Sequence, residues 1–258
     1  MAFIRAVEMS NTISRPFVRY HLKKTFEINQ DIMGLICHPQ NDNQWIDYQS
    51  GQYMNVCLDT ALHTMLSLSI ANRCTDDHYI EFHLRHDSKQ MAALVLLEQL
   101  KLDPTLYLNG PYGKMTAANI KPNAPLLLLA GGTGIAPFKA ILEHLMVLPS
   151  LTHSIHLLWG IRKPEDLYLL SFLEEVQQKL SHFNFEIILS DPVPTNITWP
   201  YQTGFLDEWL TPDIPDLNDS QIYISGPYMM IQKCYAALLA YGVNPDAITS
   251  DMIDSLQV

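Results

Sequence analysis

PLLLLAGGTGIAPFKAILEHL, residues 125–145, reads as a strand, a tight turn and a helix in immediate succession. Leu126 to Ala130 is an unbroken apolar run of strand length, the pattern of a strand buried on both faces. Gly131-Gly132-Thr133-Gly134 then lets the backbone turn sharply and approach a ligand with no side chain in the way. Pro137 suits the first turn of a helix, where its missing N–H costs nothing. The start of that helix leaves N–H groups unpaired and carries partial positive charge, so the junction is suited to a pyrophosphate. This context makes Gly131, Gly132, Thr133, Gly134, Ile135 and Pro137 candidate dinucleotide-binding residues.

Outward from that junction the rhythm continues. Apolar runs at Ile155–Gly160, Phe185–Leu189 and Ile222–Ser225 read as buried strands. Helical stretches are expected at Pro137–Leu148, Leu167–Leu180 and Tyr228–Tyr241. Strands alternating with helices predict a parallel sheet covered by helices. Ligands of such sheets lie beyond the carboxyl ends of the strands. Arg162, Ser190, Gly226, Pro227 and Met229 follow those ends and point at one crevice. Arg162 suits a ribose phosphate or a pyrophosphate by a bidentate contact, or else a surface ion pair with Glu165 or Asp166.

Before residue 118 the texture differs. Short β-type segments at Thr25–Ile28, Met33–Cys37, Tyr53–Leu58, Tyr79–Leu84 and Thr105–Leu108 are separated by turn-type residues such as Gly34, Ser50-Gly51 and Asp76-Asp77. This spacing predicts a small antiparallel barrel or sandwich. One short helix is expected at Lys89–Leu100. The join lies near Ala118 to Pro125, giving two domains, 1–118 and 119–258.

Composition narrows the function classes. The chain has 258 residues, 48% hydrophobic and 17% charged, with net charge −11. That is enough apolar material for full cores, which excludes a disordered chain. The first domain carries net −2 and the second −9. An acidic chain is a poor sequence-independent binder of nucleic acid. No run reaches the ~18 consecutive apolar residues of a membrane span, and MAFIRAVEMSNTISRPF lacks the pattern of a secretory signal. Cys37, Cys57, Cys74 and Cys234 are scattered and the ten histidines show no metal spacing, so no metal site is expected and a cytoplasmic location is.

The segments GGTGIAPF (131–138), GIRKPEDLY (160–168), LSDP (189–192) and SGPYMM (225–230) together resemble the ferredoxin–NADP⁺ reductase superfamily, closest in size to its NAD(P)H:flavin oxidoreductase branch. Gly51-Gln52-Tyr53 is similar to that family's GQY strand, and Gly110-Pro111-Tyr112-Gly113 to its GPxG turn. The resemblance implies an N-terminal flavin-binding antiparallel β-barrel followed by an NAD(P)-binding α/β domain, the order read above from texture. It implies NADH or NADPH as one cofactor and FAD, FMN or riboflavin as the other, bound or as substrate. Ser69 falls where the family's serine supports flavin N5, Leu68 where an aromatic flanks the ring, and Tyr53 near the barrel mouth.

The flavin signature departs from the family in one respect. Leu66-Ser67-Leu68-Ser69 stands where Arg-x-Tyr/Phe-Ser is usual, and His86 to Met91 lacks the glycines of the second phosphate-binding turn. A leucine cannot pair a phosphate. Three readings follow: the flavin is a loosely held substrate; cations elsewhere (Arg73, Arg85, Lys89) hold its phosphate; or flavin is lost. The expected function is hydride transfer from NAD(P)H to a flavin, with electrons passed to a flavin, a metal or a separate protein. The alternative is a non-catalytic nucleotide-binding relative. The C-terminal stretch from Thr249 to Val258 has no aromatic to shield a flavin.

Overall fold

The computed structural model describes residues 15–58, 65–148, 154–192, 197–212, 214 and 216–252. Two six-stranded sheets follow one another along the chain.

The first sheet contains β1 (Val18–Asn29), β2 (Ile32–Pro39), β3 (Tyr53–Cys57), β4 (Met65–Ser69), β5 (Ile80–Arg85) and, after helix α1 (Met91–Leu102), β6 (Thr105–Tyr112). Its order is β4-β3-β6-β1-β2-β5, antiparallel throughout. The outer strands also meet. Ile70 bridges Phe82, and the Ala71 N–H donates to the Glu81 carbonyl at 2.8 Å, which brings the two edges together as in a barrel. This bridge covers part of the two edges that would otherwise be open to association. Tyr20, Met54, Leu66, Ile80, Phe82 and Leu108 fill the interior, and α1 packs Ala93, Leu96 and Leu100 against them.

Two expectations for this half change. Gly34 is no turn: it lies inside β2, opposite Phe26 of β1. A β-carbon there would fall 2.2 Å from Phe26 Cζ, so the glycine makes room for the ring. β1 runs for 12 residues, beyond the expected Thr25–Ile28. β6 pairs its first part, Val18 to His21, and β2 pairs it along most of its length, which carries the strand through the charged Lys23-Lys24 stretch across a register shift between Leu22 and Lys24.

The second sheet holds β7 (Leu126–Gly131), β8 (Ile155–Ile161), β9 (Phe183–Leu189), β10 (Gln202–Thr203), β11 (Gln221–Ser225) and β12 (Ile248–Thr249). Its order is β10-β9-β8-β7-β11-β12, and every pair is parallel. α2 (Ala136–Leu145) and α3 (Leu170–Lys179) cover one face and α4 (Tyr228–Ala240) the other. β7 alternates accordingly, with Leu126, Leu128 and Ala130 in one core and Leu127 and Leu129 in the other. The chain leaves β7 towards β8 and returns to its other side as β11. That reversal opens a crevice beyond the carboxyl ends of β7 and β11, where ligands of such sheets sit.

The connection near Ala118 to Pro125 is pinned to the second sheet. Gln221 accepts from the Lys121 N–H at 2.8 Å and donates to the Asn119 carbonyl at 2.9 Å; Tyr223 donates to the Thr116 carbonyl at 3.0 Å.

Candidate functional site

β5 carries the sequence IEFHLR. Its alternation sends Ile80, Phe82 and Leu84 into the barrel and Glu81, His83 and Arg85 to the opposite face. That second face is covered by the nucleotide half, so its polar residues are buried and must find partners there. Arg85 Nη2 donates to Asp166 Oδ1 at 3.0 Å, with side chains 9% and 1% exposed. Arg85 Nη1 is buried and has no hydrogen-bond partner among the described residues. A buried donor left unmade costs about 1–3 kcal/mol and more when charged, so this nitrogen calls for an acceptor.

Two residues back, His83 Nε2 meets Glu81 Oε1 at 2.7 Å and Nδ1 meets the Tyr168 hydroxyl at 3.0 Å. Lys139 of α2 joins the cluster, 3.3 Å from Glu81 and 2.7 Å from Glu143. Burial pushes the His83 imidazole below its ordinary range, outweighing the pull of Glu81. Burial pushes the Glu81 carboxyl up, but the His83 hydrogen bond and the Lys139 charge together hold it below its usual range. Burial likewise opposes the Lys139 charge, and Glu81 and Glu143 raise its pKa nevertheless.

The glycine turn faces this stripe. Gly131 ends β7, and a tight turn over Gly132–Ile135 leads into α2. Most of its glycines answer to packing of turn on turn. A β-carbon on Gly134 would lie 2.2 Å from the Ser225 carbonyl oxygen, and one on Gly226 would lie 2.9 Å from Gly131 Cα. Gly132 differs. It has φ +54°, and the nearest atom to its absent β-carbon is Arg85 Nη2 at 3.7 Å, so its open side faces the guanidinium. Its carbonyl accepts from Trp159 Nε1 at 2.9 Å.

Two clefts meet at this turn. The first, about 190 Å³, has Tyr53, Leu68, Ser69 and His83 of the barrel on one wall and Thr133, Gly134, Gly226 and Pro227 on the other, with Ser250 to Met252 at its end. The second, about 600 Å³, lies between Asp87, Lys89 and Gln90 on one side and Gly132, Arg162, Ser190 and Phe205 on the other. Gly131, Thr133, Pro227 and Arg85 line both.

The structure thus gathers Tyr53, Leu68, Ser69, Arg85, Gly131, Gly132, Thr133, Gly134, Arg162, Ser190, Gly226 and Pro227 around one junction. It does not place three others there. Ile135 is fully buried in the core beneath α2, and Pro137 is buried in the first turn of that helix. Met229 is 61% exposed and lines neither cleft, whereas Met230 lines the second: adjacent helix positions point about 100° apart. Arg162 is half exposed and only at the outer limit of pairing, 3.9 Å from Asp87 and 4.0 Å from Asp166. Asp166 is instead taken by Arg85. Leu66 is 1% exposed inside the barrel, so β4 offers no cation to a phosphate. Of the cations named as substitutes, Arg85 and Lys89 line the second cleft and Arg73 lines neither. The residues beyond Met252 lie outside the described part.

The sequence reading missed His83, Asp166 and Tyr168. The one signal was the strict alternation I-E-F-H-L-R, in which three polar residues share a face. Alternation alone says that the face is polar and leaves open that another domain buries it.

A cleft of about 190 Å³ against an antiparallel barrel, joined at a glycine turn to one of about 600 Å³ over a parallel sheet, suits a two-domain class of protein that holds a flavin beside a nicotinamide nucleotide. The residues fit both groups: an apolar and hydroxyl-lined slot for a ring, an open glycine and a buried guanidinium with an unmet donor for an anion. Comparison with known proteins agrees. Residues 19–116 match the oxidoreductase FAD-binding domain, and residues 128–235 the oxidoreductase NAD-binding domain. The chain is 28% identical over 206 residues to the CDP-6-deoxy-L-threo-D-glycero-4-hexulose-3-dehydrase reductase of Yersinia pestis, covering 80% of this chain and 60% of that protein. It is 26% identical over 223 residues to the toluate 1,2-dioxygenase electron transfer component of Pseudomonas putida, covering 85% and 62%. The chain therefore spans about 60% of the length of these curated relatives. Among solved structures, the ferredoxin reductase in carbazole 1,9a-dioxygenase superposes with TM-score 0.72 at 19% identity, covering 91% of this chain and 68% of that one. A ferredoxin NADP⁺ reductase from Neisseria gonorrhoeae with bound FAD and NADP gives TM-score 0.67 at 17% identity, covering 88% and 92%. The chain therefore carries an oxidoreductase FAD-binding domain followed by an oxidoreductase NAD-binding domain, the pairing that supplies sites for a flavin and a nicotinamide nucleotide, on the fold it shares with these reductases. The alternative of a nucleotide binder that has lost flavin is not favoured, since the barrel itself matches a FAD-binding domain.

Proposed function

We propose that this chain takes reducing equivalents from NADH or NADPH into a flavin held in the first cleft and passes them to a separate acceptor. The observation that carries this reading is the shared wall of the two clefts, Gly131, Thr133 and Pro227, with Arg85 beside it. A ring in each cleft would meet its neighbour there.

When bound, a flavin supplies the ability to accept electrons in pairs and release them singly. The chain's own residues bind and orient. Gly132 leaves the second cleft open to a pyrophosphate, and Arg85 Nη1 supplies a charged donor for it. Lys89, Arg162 and Ser190 line the same cleft for the rest of the nucleotide. On the barrel side Ser69 and Tyr53 offer hydroxyls beside the flavin slot, and Leu68 offers an apolar floor. No side-chain acid or nucleophile is needed; the site orients two rings and excludes water. We assign the flavin half to residues 1–118 and the nucleotide half to 119–258.

The names of the relatives, reductases and electron-transfer components, favour a protein acceptor over free flavin or metal. The four cysteines form no disulfide among the described residues, which supports a reducing, cytoplasmic setting.

The test is the visible spectrum of the purified protein, taken anaerobically after adding FAD and then NADH or NADPH. The expected result is a protein-bound flavin band that bleaches faster than a protein-free control. No binding, and bleaching no faster than that control, would overturn the proposal.

A further inference from the structure

We propose that His83 and Tyr168 are positioning residues, a hydrogen-bonded rung that sets the glycine turn of the nucleotide half in register with the flavin wall of the barrel. The inference rests on the function proposed above and adds which residues hold the two rings in transfer geometry.

His83 belongs to the barrel and lines the first cleft; Tyr168 belongs to the nucleotide half, 85 residues further along the chain. His83 is buried and Tyr168 is half-buried, so their bond is largely withdrawn from water. Its direction follows from its surroundings. Tyr168 is half-buried against the core, and desolvation of its hydroxyl raises its pKa far above the ordinary phenol range, so the hydroxyl keeps its proton and donates. His83 Nδ1 accepts, and Nε2–H donates to Glu81. Partners on both nitrogens fix one tautomer and one ring orientation.

The chain of contacts continues to the turn. Tyr168 meets His83 edge-on at 5.3 Å between ring centroids, and Trp159 edge-on at 5.6 Å. Trp159 Nε1 holds the Gly132 carbonyl at 2.9 Å. Gly132 lines the second cleft. The series His83, Tyr168, Trp159, Gly132 therefore runs from one cleft wall to the other through groups in direct contact, with His83 and Trp159 buried. Reacting atoms must lie about 3–3.5 Å apart, and an error of ~1 Å costs ~100-fold in rate. A rigid rung here acts on transfer far more than on the binding of either ring. Arg85–Asp166 also ties the two halves, so their association does not depend on Tyr168 alone.

The test compares the wild type with Tyr168→Phe. Nucleotide affinity is measured by calorimetry on flavin-free protein. FAD affinity follows from fluorescence, and ring stacking from the long-wavelength charge-transfer absorbance of FAD-loaded protein mixed with NADH or NADPH. Both affinities are expected to stay within about threefold of the wild type. Charge-transfer absorbance is expected to fall by about half or more, and kcat by about tenfold with KM unchanged. His83→Gln, which keeps an acceptor and a donor, should retain more of the signal than His83→Leu. Wild-type charge transfer and kcat in Tyr168→Phe would overturn the inference. So would a nucleotide Kd that rises by as much as kcat falls, because the bond would then only shape the cradle. If Tyr168→Phe does not fold, the pair H83L/Y168F is measured in its place; wild-type charge transfer there, or a failure of that pair to fold, overturns it equally. A wild type that binds no flavin sinks the proposed function instead, which keeps the two failures apart.

Discussion

Gly132 and Gly134 stand two residues apart and are glycine for different reasons. At Gly134 a methyl group would sit 2.2 Å from the Ser225 carbonyl, backbone against backbone, with no flexible atom to yield. Gly134→Ala should therefore lower the melting temperature sharply or prevent folding, as differential scanning fluorimetry will read. At Gly132 there is space, but a β-branched residue at φ +54° is strained and its branches would face Arg85. Gly132→Val should fold, lose about tenfold or more in NADH and NADPH affinity, and keep its FAD affinity. Arg85 poses a separate test. Removing it leaves Asp166, 1% exposed, without its cation, a loss of about 3–5 kcal/mol. Arg85→Gln should thus be strongly destabilised in urea, and R85Q/D166N should recover much of that stability while nucleotide affinity stays low. Recovery of both would remove Arg85 from the binding site.

At the scale of the element, β5 is a strand buried on both faces with only one face apolar. Its polar face is stable because Lys139, Tyr168 and Asp166 meet it from three different segments. This makes the strand sensitive to acid. His83 has an ordinary value of 6.5 and is lowered by burial, so the unfolded chain takes up its proton first. The stability of the neutral imidazole is fully present above pH 6.5 and is lost as pH falls through the lowered value. Glu81, lowered from 4.5, adds a second loss at more acid pH. Urea midpoints measured between pH 7 and 4 should decline from about 6.5 downward in the wild type. In His83→Gln the decline above pH 4.5 should be shallower, since His38, also lowered from 6.5, still contributes. Lys139 is raised, so its contribution holds below pH 10.5 and is lost only as pH rises through the higher folded value. Lys139→Met leaves two neighbouring carboxylates without their shared cation and should cost about 3 kcal/mol at neutral pH.

At the scale of the whole molecule, the two clefts lie between halves joined by Arg85–Asp166 and His83–Tyr168. A ligand that binds only the folded chain stabilises it by about 2.7 kcal/mol at a hundred times its Kd. For a chain of this length that is a rise of roughly 5 °C or more in the thermal midpoint. FAD and NADPH should each give such a rise. A shift with the nucleotide and none with FAD, FMN or riboflavin would count against the first cleft as the flavin site.

Much of this architecture is legible in the residues themselves, because local chemistry writes it. The strand, glycine turn and helix at 125–145, the alternation of strands and helices after it, and the antiparallel texture before 118 need only periodicity and turn residues to be read. The same local logic fails where one half of the chain touches the other. Gly34 looks like a turn until Phe26 is seen lying across it. Met229 sits inside a recognisable motif yet points to solvent, while its neighbour Met230 faces the cleft. Arg162 looks like the phosphate ligand of its strand end, but Asp166, its neighbour by helical spacing, is claimed by an arginine 81 residues away. Sequence by itself thus determined two halves, their sheets and the location of the glycine turn, since these depend on contacts within a few residues. Tertiary structure alone decided that Glu81, His83 and Arg85 are buried against the other half, and that the two clefts share one wall. A polar strand face reads the same whether water or another domain covers it, and only the docking of the two halves supplies the partners that orient those side chains.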